Sequence, residues 1–223
     1  MKQITFYLDF ISPYAYLAFE QLPQALQGLS YSVDYKPLLF AGLLKHHGQL
    51  GPAEIQPKRW WTYRQVLWLA ARHGIELQMP QAHPFNPLPL LRLALACGHE
   101  GPAPGHGTGT INRFVAETVF RHVWRGGADA ADISRLAALT QTLAPLRDPS
   151  SDAVKAELKA NADEAISLGL FGVPSLVVDG KLFWGFDALP MLRDYLDGGA
   201  WFASDAWEQA QALPAGIQRT PKM

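Results

Sequence analysis

With 223 residues, 48% hydrophobic and 17% charged, the chain is long enough to bury a full core, as one large domain or one domain with an insertion. A formal net charge of −1 gives no reason to expect nucleic acid or an acidic membrane surface as a partner, since phosphate binding needs clustered Lys and Arg. No apolar run reaches the ~18 residues that would suggest a membrane span. Asp9 interrupts the first apolar stretch and no small-residue cleavage site follows a basic start, so a cytoplasmic protein is expected.

Alternating apolar residues predict a strand over Ile4 to Phe10, which runs through Ser12-Pro13 into a helix over Pro13 to Leu26. Ser12 then stands at a helix N-terminus, where unsatisfied N–H groups and the macrodipole favour an anion. A strand over Ser32 to Pro37 completes a βαβ unit with a parallel pair. The strand signal then stops until Val173. Helical patterns fill the interval: about Pro57 to Gly74, Leu88 to Ala96, about Thr110 to Trp124, Asp132 to Leu143, and Ser151 to Leu168. The stretch Gly98 to Gly109 is too rich in Gly and Pro to hold a helix. Val173-Pro174 opens a β-branched strand, Ser175 to Val178, with an Asp179-Gly180 hairpin turn and a strand over Lys181 to Trp184. Asp187 to Tyr195 reads as the last core helix, with Asp187 as its N-cap, and Trp201 to Ala212 as a tail helix. Helices Ser151 to Leu168 and Asp187 to Tyr195 are expected to flank the sheet.

Several chemistries are excluded or set aside. The single cysteine, Cys97, forbids an intramolecular disulfide and, among Leu93 to Ala96, reads as a buried structural thiol. His46 and His47 read as loop residues. His99 and His106 have no Cys or carboxylate cluster beside them, so no metal site is expected. GHGTG at Gly105 to Gly109 follows no strand and is not a dinucleotide fingerprint. The runs Lys58 to Arg64 and His83 to Leu88, with Trp68, place aromatic and basic groups together. There an aromatic acid could stack on a ring and pair its carboxylate with Arg or Lys. Tyr63, Arg64, Phe85 and Asn86 are the candidate cleft-lining residues, with Lys45 as a further cation for a carboxylate. For any one Trp, packing explains the residue at least as well.

The aromatic first strand, Asp9, Ser12-Pro13-Tyr14, KHHGQ at Lys45 to Gln49, GVP at Gly172 to Pro174, and WGFD at Trp184 to Asp187 resemble a known family. They are similar to 2-hydroxychromene-2-carboxylate isomerases and kappa-class glutathione transferases, which share the fold of the bacterial disulfide oxidoreductases. The resemblance implies an α/β, thioredoxin-like (DsbA-like) fold with an inserted all-α domain. Residues 1–42 and 168–223 would form a discontinuous thioredoxin-like domain and 43–167 the helical insertion. Oxidoreductases of this fold carry Cys-x-x-Cys at the strand-to-helix turn, but here the turn reads Ser12-Pro13-Tyr14-Ala15, which excludes dithiol exchange.

What remains is a thiolate site awaiting a sulfur from glutathione, the implied cofactor, with Ser12 donating to that sulfur. Val173, before a cis Pro174, would pair its backbone with the cysteinyl part. Asp187 would accept the γ-glutamyl ammonium, and Gln49 would reach the glycyl end, where relatives commonly have Asn. Trp184, Gly185 and Phe186 complete the implied cofactor site; relatives often carry a small hydroxylic residue in place of Phe186. The implied activity is isomerisation of a small aromatic substrate with glutathione as a nucleophilic catalyst regenerated at each turnover, without a metal or redox cofactor. A kappa-like transferase and a non-catalytic glutathione or peptide binder stay open, and a homodimer is compatible with the resemblance.

Overall fold

The computed structural model describes residues 1–98, 108–214 and 216. A four-stranded sheet has the order β2-β1-β3-β4. Strand β1 (Lys2–Leu8) lies parallel to β2 (Tyr31–Pro37) and antiparallel to β3 (Ser175–Val178), which pairs antiparallel with β4 (Lys181–Trp184). A parallel pair needs a crossover, and α1 (Pro13–Ala25) supplies it. The antiparallel pair β3 and β4 needs only the Asp179-Gly180 turn, whose φ values of 49° and 76° suit a two-residue hairpin.

Side chains alternate across the sheet, so its two faces collect different helices. Ile4, Phe6, Leu8, Leu176, Val178 and Phe183 point into the larger core, where α1 and α8 (Leu189–Leu196) cover them. Tyr7 points the other way, joining Leu38, Leu43, Ala165, Leu170 and Val173 under α2 (Phe40–His46) and α7 (Asp152–Ser167). The expected flanking of the sheet by the Ser151 and Asp187 helices therefore holds, on opposite faces. Below Tyr7, the ammonium of Lys36 meets Glu164 Oε2 at 2.5 Å and Tyr7 Oη donates to Glu164 Oε1 at 2.6 Å.

Helices α3 (Gln56–His73), α4 (Leu88–Ala96), α5 (Arg113–Trp124) and α6 (Ile133–Leu143) lie between α2 and α7 in the chain. The larger core continues into them without a break: Phe10 meets Phe120 edge-on at 4.9 Å, and Tyr16 stacks on Trp124 at 6.4 Å. Among the described residues no helix is long and apolar enough to cross a membrane.

Five local expectations need correction. Strand β1 ends at Leu8 rather than Phe10, because Asp9 turns its carboxylate back onto main-chain N–H groups. Helix α5 starts at Arg113 rather than near Thr110: Ile111 bridges to Tyr35, and Asn112 Oδ1 accepts from Val115 N at 2.9 Å. Residues Phe40–His46 form a helix where loop was expected, so Lys45 and His46 occupy its last turn and His47 its C-cap. Asp187 is not the N-cap of α8. It lies in a 3-10 turn, Phe186–Ala188, that precedes Leu189, and Pro190 in the first turn of α8 has no N–H to be capped. The tail helix is shorter than expected, α9 (Ala206–Gln211), with Trp201 and Phe202 in the turns before it. His99, His106 and most of the Gly-rich loop lie outside the described residues.

Candidate active site

Helix α1 begins at Ser12, whose backbone is extended (φ −88°, ψ 114°) and whose Oγ accepts from Ala15 N at 3.2 Å. Pro13 at the first helical position has no N–H, and Ser12 satisfies that of Ala15. The Tyr14 N–H is left as the first-turn donor without a partner among the described residues. Ser12 Oγ also donates to Val173 O, at 3.4 Å, which brings the two motifs together across the sheet. Such a length marks a weak bond that a better acceptor can replace. The Val173-Pro174 peptide is cis, as expected.

The glycines of GVP and WGFD serve different needs. Gly172 has an ordinary φ but no room: a Cβ there would stand 2.4 Å from Trp184 Nε1, because the indole lies across its backbone and against Phe171 at 4.7 Å. Gly185 needs its φ of 100°, and its N–H donates to Pro174 O at 2.9 Å, tying WGFD to GVP. Trp184 is half exposed and Asp187 is exposed, its carboxylate folded over Gly185. Phe186 differs: buried and edge-on to His73 at 5.1 Å, its side chain belongs to the core, and only its backbone can face a ligand. Lys45 and Gln49 are exposed at the end of α2, and His47 Nε2 bonds Leu170 O at 2.9 Å, which holds that end beside the approach to Gly172.

A second group comes from the helical part. Tyr63 and Arg64, with Trp60, line an open groove of about 360 Å³; Arg64 also borders one of about 370 Å³ with Trp61, Gln65 and Trp68. Tyr14 Oη donates to Gln65 Oε1 at 2.5 Å and so joins α1 to this surface. Tyr63 Oη lies 2.8 Å from both His83 Nδ1 and His83 O, and Phe85 stands 6.1 Å from the His83 ring. Asn86 is spent locally, its Oδ1 accepting from Leu88 N at 3.1 Å where α4 starts.

Sequence reasoning missed how the Ser12 turn is held. Asp9 is fully buried; Oδ1 accepts from Ile11 N at 3.1 Å and Oδ2 from Phe40 N at 2.8 Å, so the carboxylate caps α2 from another element. Burial pushes its pKa up to about 7, against the main-chain N–H groups that favour the anion. Trp124 Nε1 donates to Phe10 O at 3.0 Å and His83 Nε2 to Ile11 O at 2.8 Å. Asp9 was signalled as a charged residue inside an apolar strand and by the family resemblance, and His83 only as the start of the run His83 to Leu88; neither signal showed the hold on this turn, and Trp124 gave none. Cys97 is half-buried, donates to Leu93 O at 3.2 Å, and burial pushes its thiol up to about 11, as suits an unreactive thiol. Among the described residues no group of His, Cys, Asp or Glu could hold a metal ion.

The model of the DsbA-like thioredoxin domain matches residues 3–197. The chain belongs to the DsbA-like thioredoxin family. It is similar to a 2-hydroxychromene-2-carboxylate isomerase of Sphingobium xenophagum, 27% identical over 204 residues that cover 87% of this chain and 98% of the relative. A glutathione S-transferase kappa 2 of Caenorhabditis elegans is 26% identical over 209 residues, covering 87% and 92%. Among solved structures, a 2-hydroxychromene-2-carboxylate isomerase superposes with a TM-score of 0.71 at 22% identity, over 95% of this chain and 100% of that one. The cytosolic disulfide reductase DsbM from Pseudomonas aeruginosa with GSH aligns at 0.51 and 16% identity, over 95% and 100%. These structures share the fold. At the turn where a disulfide reductase needs a thiol, this chain carries Ser12.

Proposed function

We propose that this protein is a cytoplasmic glutathione-dependent isomerase of a small aromatic substrate, of the 2-hydroxychromene-2-carboxylate isomerase kind. The observation that carries the reading is the meeting of Ser12 Oγ with Val173 O at the N-terminus of α1. The residues fit glutathione. Ser12 O–H and the Tyr14 N–H, which has no partner among the described residues, both belong to the first turn of α1, and the helix end adds a positive potential that would favour a thiolate. The exposed Asp187 suits an ammonium, and the Lys45 and Gln49 side chains stand free at the end of α2 for a carboxylate. Bound glutathione would supply at this turn a sulfur nucleophile that Ser12 does not provide.

The protein's own part is electrostatic and positional. Ser12 and Tyr14 N–H favour the ionised sulfur, because donors to the charged form lower its pKa. Arg64, which borders both aromatic-lined grooves, would hold an aromatic carboxylate. Homology to an isomerase over 87% of this chain and 98% of the relative supports the reaction class. Glutathione at millimolar concentration should raise the melting temperature of the purified protein by mass action; no shift would end the reading. Incubation with glutathione and the chromene acid should then give isomerised product with all glutathione recovered, whereas a stable conjugate would mark a transferase.

A further inference from the structure

We propose that His83 is a positioning residue for Ser12, and that with Tyr63 it links the aromatic groove of α3 to the thiolate-stabilising turn. The proposal deepens the glutathione reading above and rests on it.

The turn from Phe10 to Ser12 has its main-chain polar groups committed. Phe10 O accepts from Trp124 Nε1, Ile11 N donates to Asp9 Oδ1, Ile11 O accepts from His83 Nε2, and Ser12 N donates to Asp9 O at 3.0 Å. Of these partners, His83 and Trp124 come from the helical part of the chain. A carbonyl can only accept, so His83 carries its proton on Nε2. In the neutral ring Nδ1 is then an acceptor facing Tyr63 Oη, whose single proton is shared between Nδ1 and the His83 carbonyl, both at 2.8 Å. Burial pulls the His83 pKa down, which favours that neutral ring. The imidazole is wedged between Trp124 at 5.6 Å and Tyr63 at 5.4 Å, so its orientation is set by packing as well as by bonds.

The Ile11 carbonyl belongs to the peptide that enters Ser12. Rotating that peptide moves Ser12 Oγ and the first-turn N–H groups together, and small errors of aim weaken a hydrogen bond to a thiolate steeply. His83 fixes this rotation. At the other end of the same contact, Tyr63 forms one wall of the groove that also contains Arg64. A ligand that displaces Tyr63 therefore acts on the His83 ring and, through it, on the Ser12 turn. Asn86 and Phe85, from the same loop, have no such bond to the turn.

The test uses two substitutions with opposite costs. His83→Phe keeps the ring packing but removes both hydrogen bonds of the ring, leaving Tyr63 on the main-chain carbonyl of residue 83; His83→Gln loses ring contacts yet its amide nitrogen reaches the Ile11 carbonyl. Each is measured with bound glutathione by thiolate absorbance. Each is also made in a Ser12→Cys background, where the introduced thiol reports the turn without glutathione and Cys97, held near 11, does not interfere. His83→Phe should raise the thiol pKa by about half a unit, a roughly threefold loss of thiolate near neutral pH, with little change in melting temperature. His83→Gln should restore most of that shift despite lower stability. A thiol pKa that follows stability in both variants, or stays put in His83→Phe, overturns the proposal. Failure of the parent to bind glutathione would instead overturn the cofactor reading, while the Ser12→Cys series still decides the role of His83.

Discussion

Ser12 Oγ lies 3.4 Å from the carbonyl oxygen of Val173, 161 residues away in the chain, and accepts from Ala15 N at 3.2 Å. One hydroxyl thus caps a helix with its lone pair and leaves its proton on a long, replaceable bond. Ser12→Ala removes both. The lost cap should cost about 1 kcal/mol, or roughly 2–4 °C in melting temperature. Independently, the pKa of bound glutathione should rise because a donor to the thiolate is gone. Ultraviolet titration of the complex checks this; an unchanged titration with a lowered melting temperature would reduce Ser12 to a cap.

Gly172→Ala tests whether space rather than backbone freedom selects glycine in GVP. The new Cβ would meet Trp184 Nε1 at 2.4 Å, so the indole must leave the Gly172 backbone and its place against Phe171. Because Trp184 is half exposed, it can move, and the loss of stability should be only about 1 kcal/mol. The Trp184 indole N–H resonance should shift alone among the tryptophans, and glutathione affinity should fall.

Asp9 predicts a pH dependence with a definite sign. Its folded pKa is raised to about 7 by burial, above the ordinary carboxylate value, so the folded state holds a proton that the unfolded state releases. Stability from this group is therefore greatest at low pH, declines as pH rises from about 4 to about 7, and is flat beyond. Asp9→Asn should remove that slope. It should also loosen α2, because an amide cannot accept at both positions that the carboxylate offers to Ile11 N and Phe40 N. Melting temperatures across pH 4 to 8 for both proteins decide the matter.

The sequence made the sheet legible because its strands alternate and its turns carry their own signals, Asp179-Gly180 above all. Helix α2 was not legible for a physical reason. Its N-cap is Leu39, which has no side-chain cap, and the carboxylate that serves it belongs to Asp9, distant in the chain. The burial of the Phe186 side chain was not legible for a similar reason: the ring of His73, from α3, gives it a partner that no local pattern shows. Ser12 and Gly185 could be found from motifs because each answers a local demand, for a cap or for a positive φ. His83 answers a demand made only in three dimensions.

The buried Lys36 gives the last prediction. Its side chain is 7% exposed and its ammonium meets Glu164 Oε2 at 2.5 Å, while the Glu164 side chain is 42% exposed and also accepts from Tyr7. The two partners are therefore not equivalent. Removing Lys36 leaves a carboxylate that water can reach and that keeps its Tyr7 bond, so Lys36→Met should cost about 1 kcal/mol or less. Removing Glu164 strands an ammonium and a tyrosine hydroxyl away from water. Glu164→Ala should cost about 2–3 kcal/mol, below the full range for a buried pair because Glu164 is partly solvated. The sign of the double variant follows: adding Lys36→Met to Glu164→Ala should restore stability, since the unpaired charge is then gone. Urea denaturation of the four proteins would show this, and a double variant less stable than Glu164→Ala alone would mean that the Lys36 stem, rather than its charge, is what the β2 face requires.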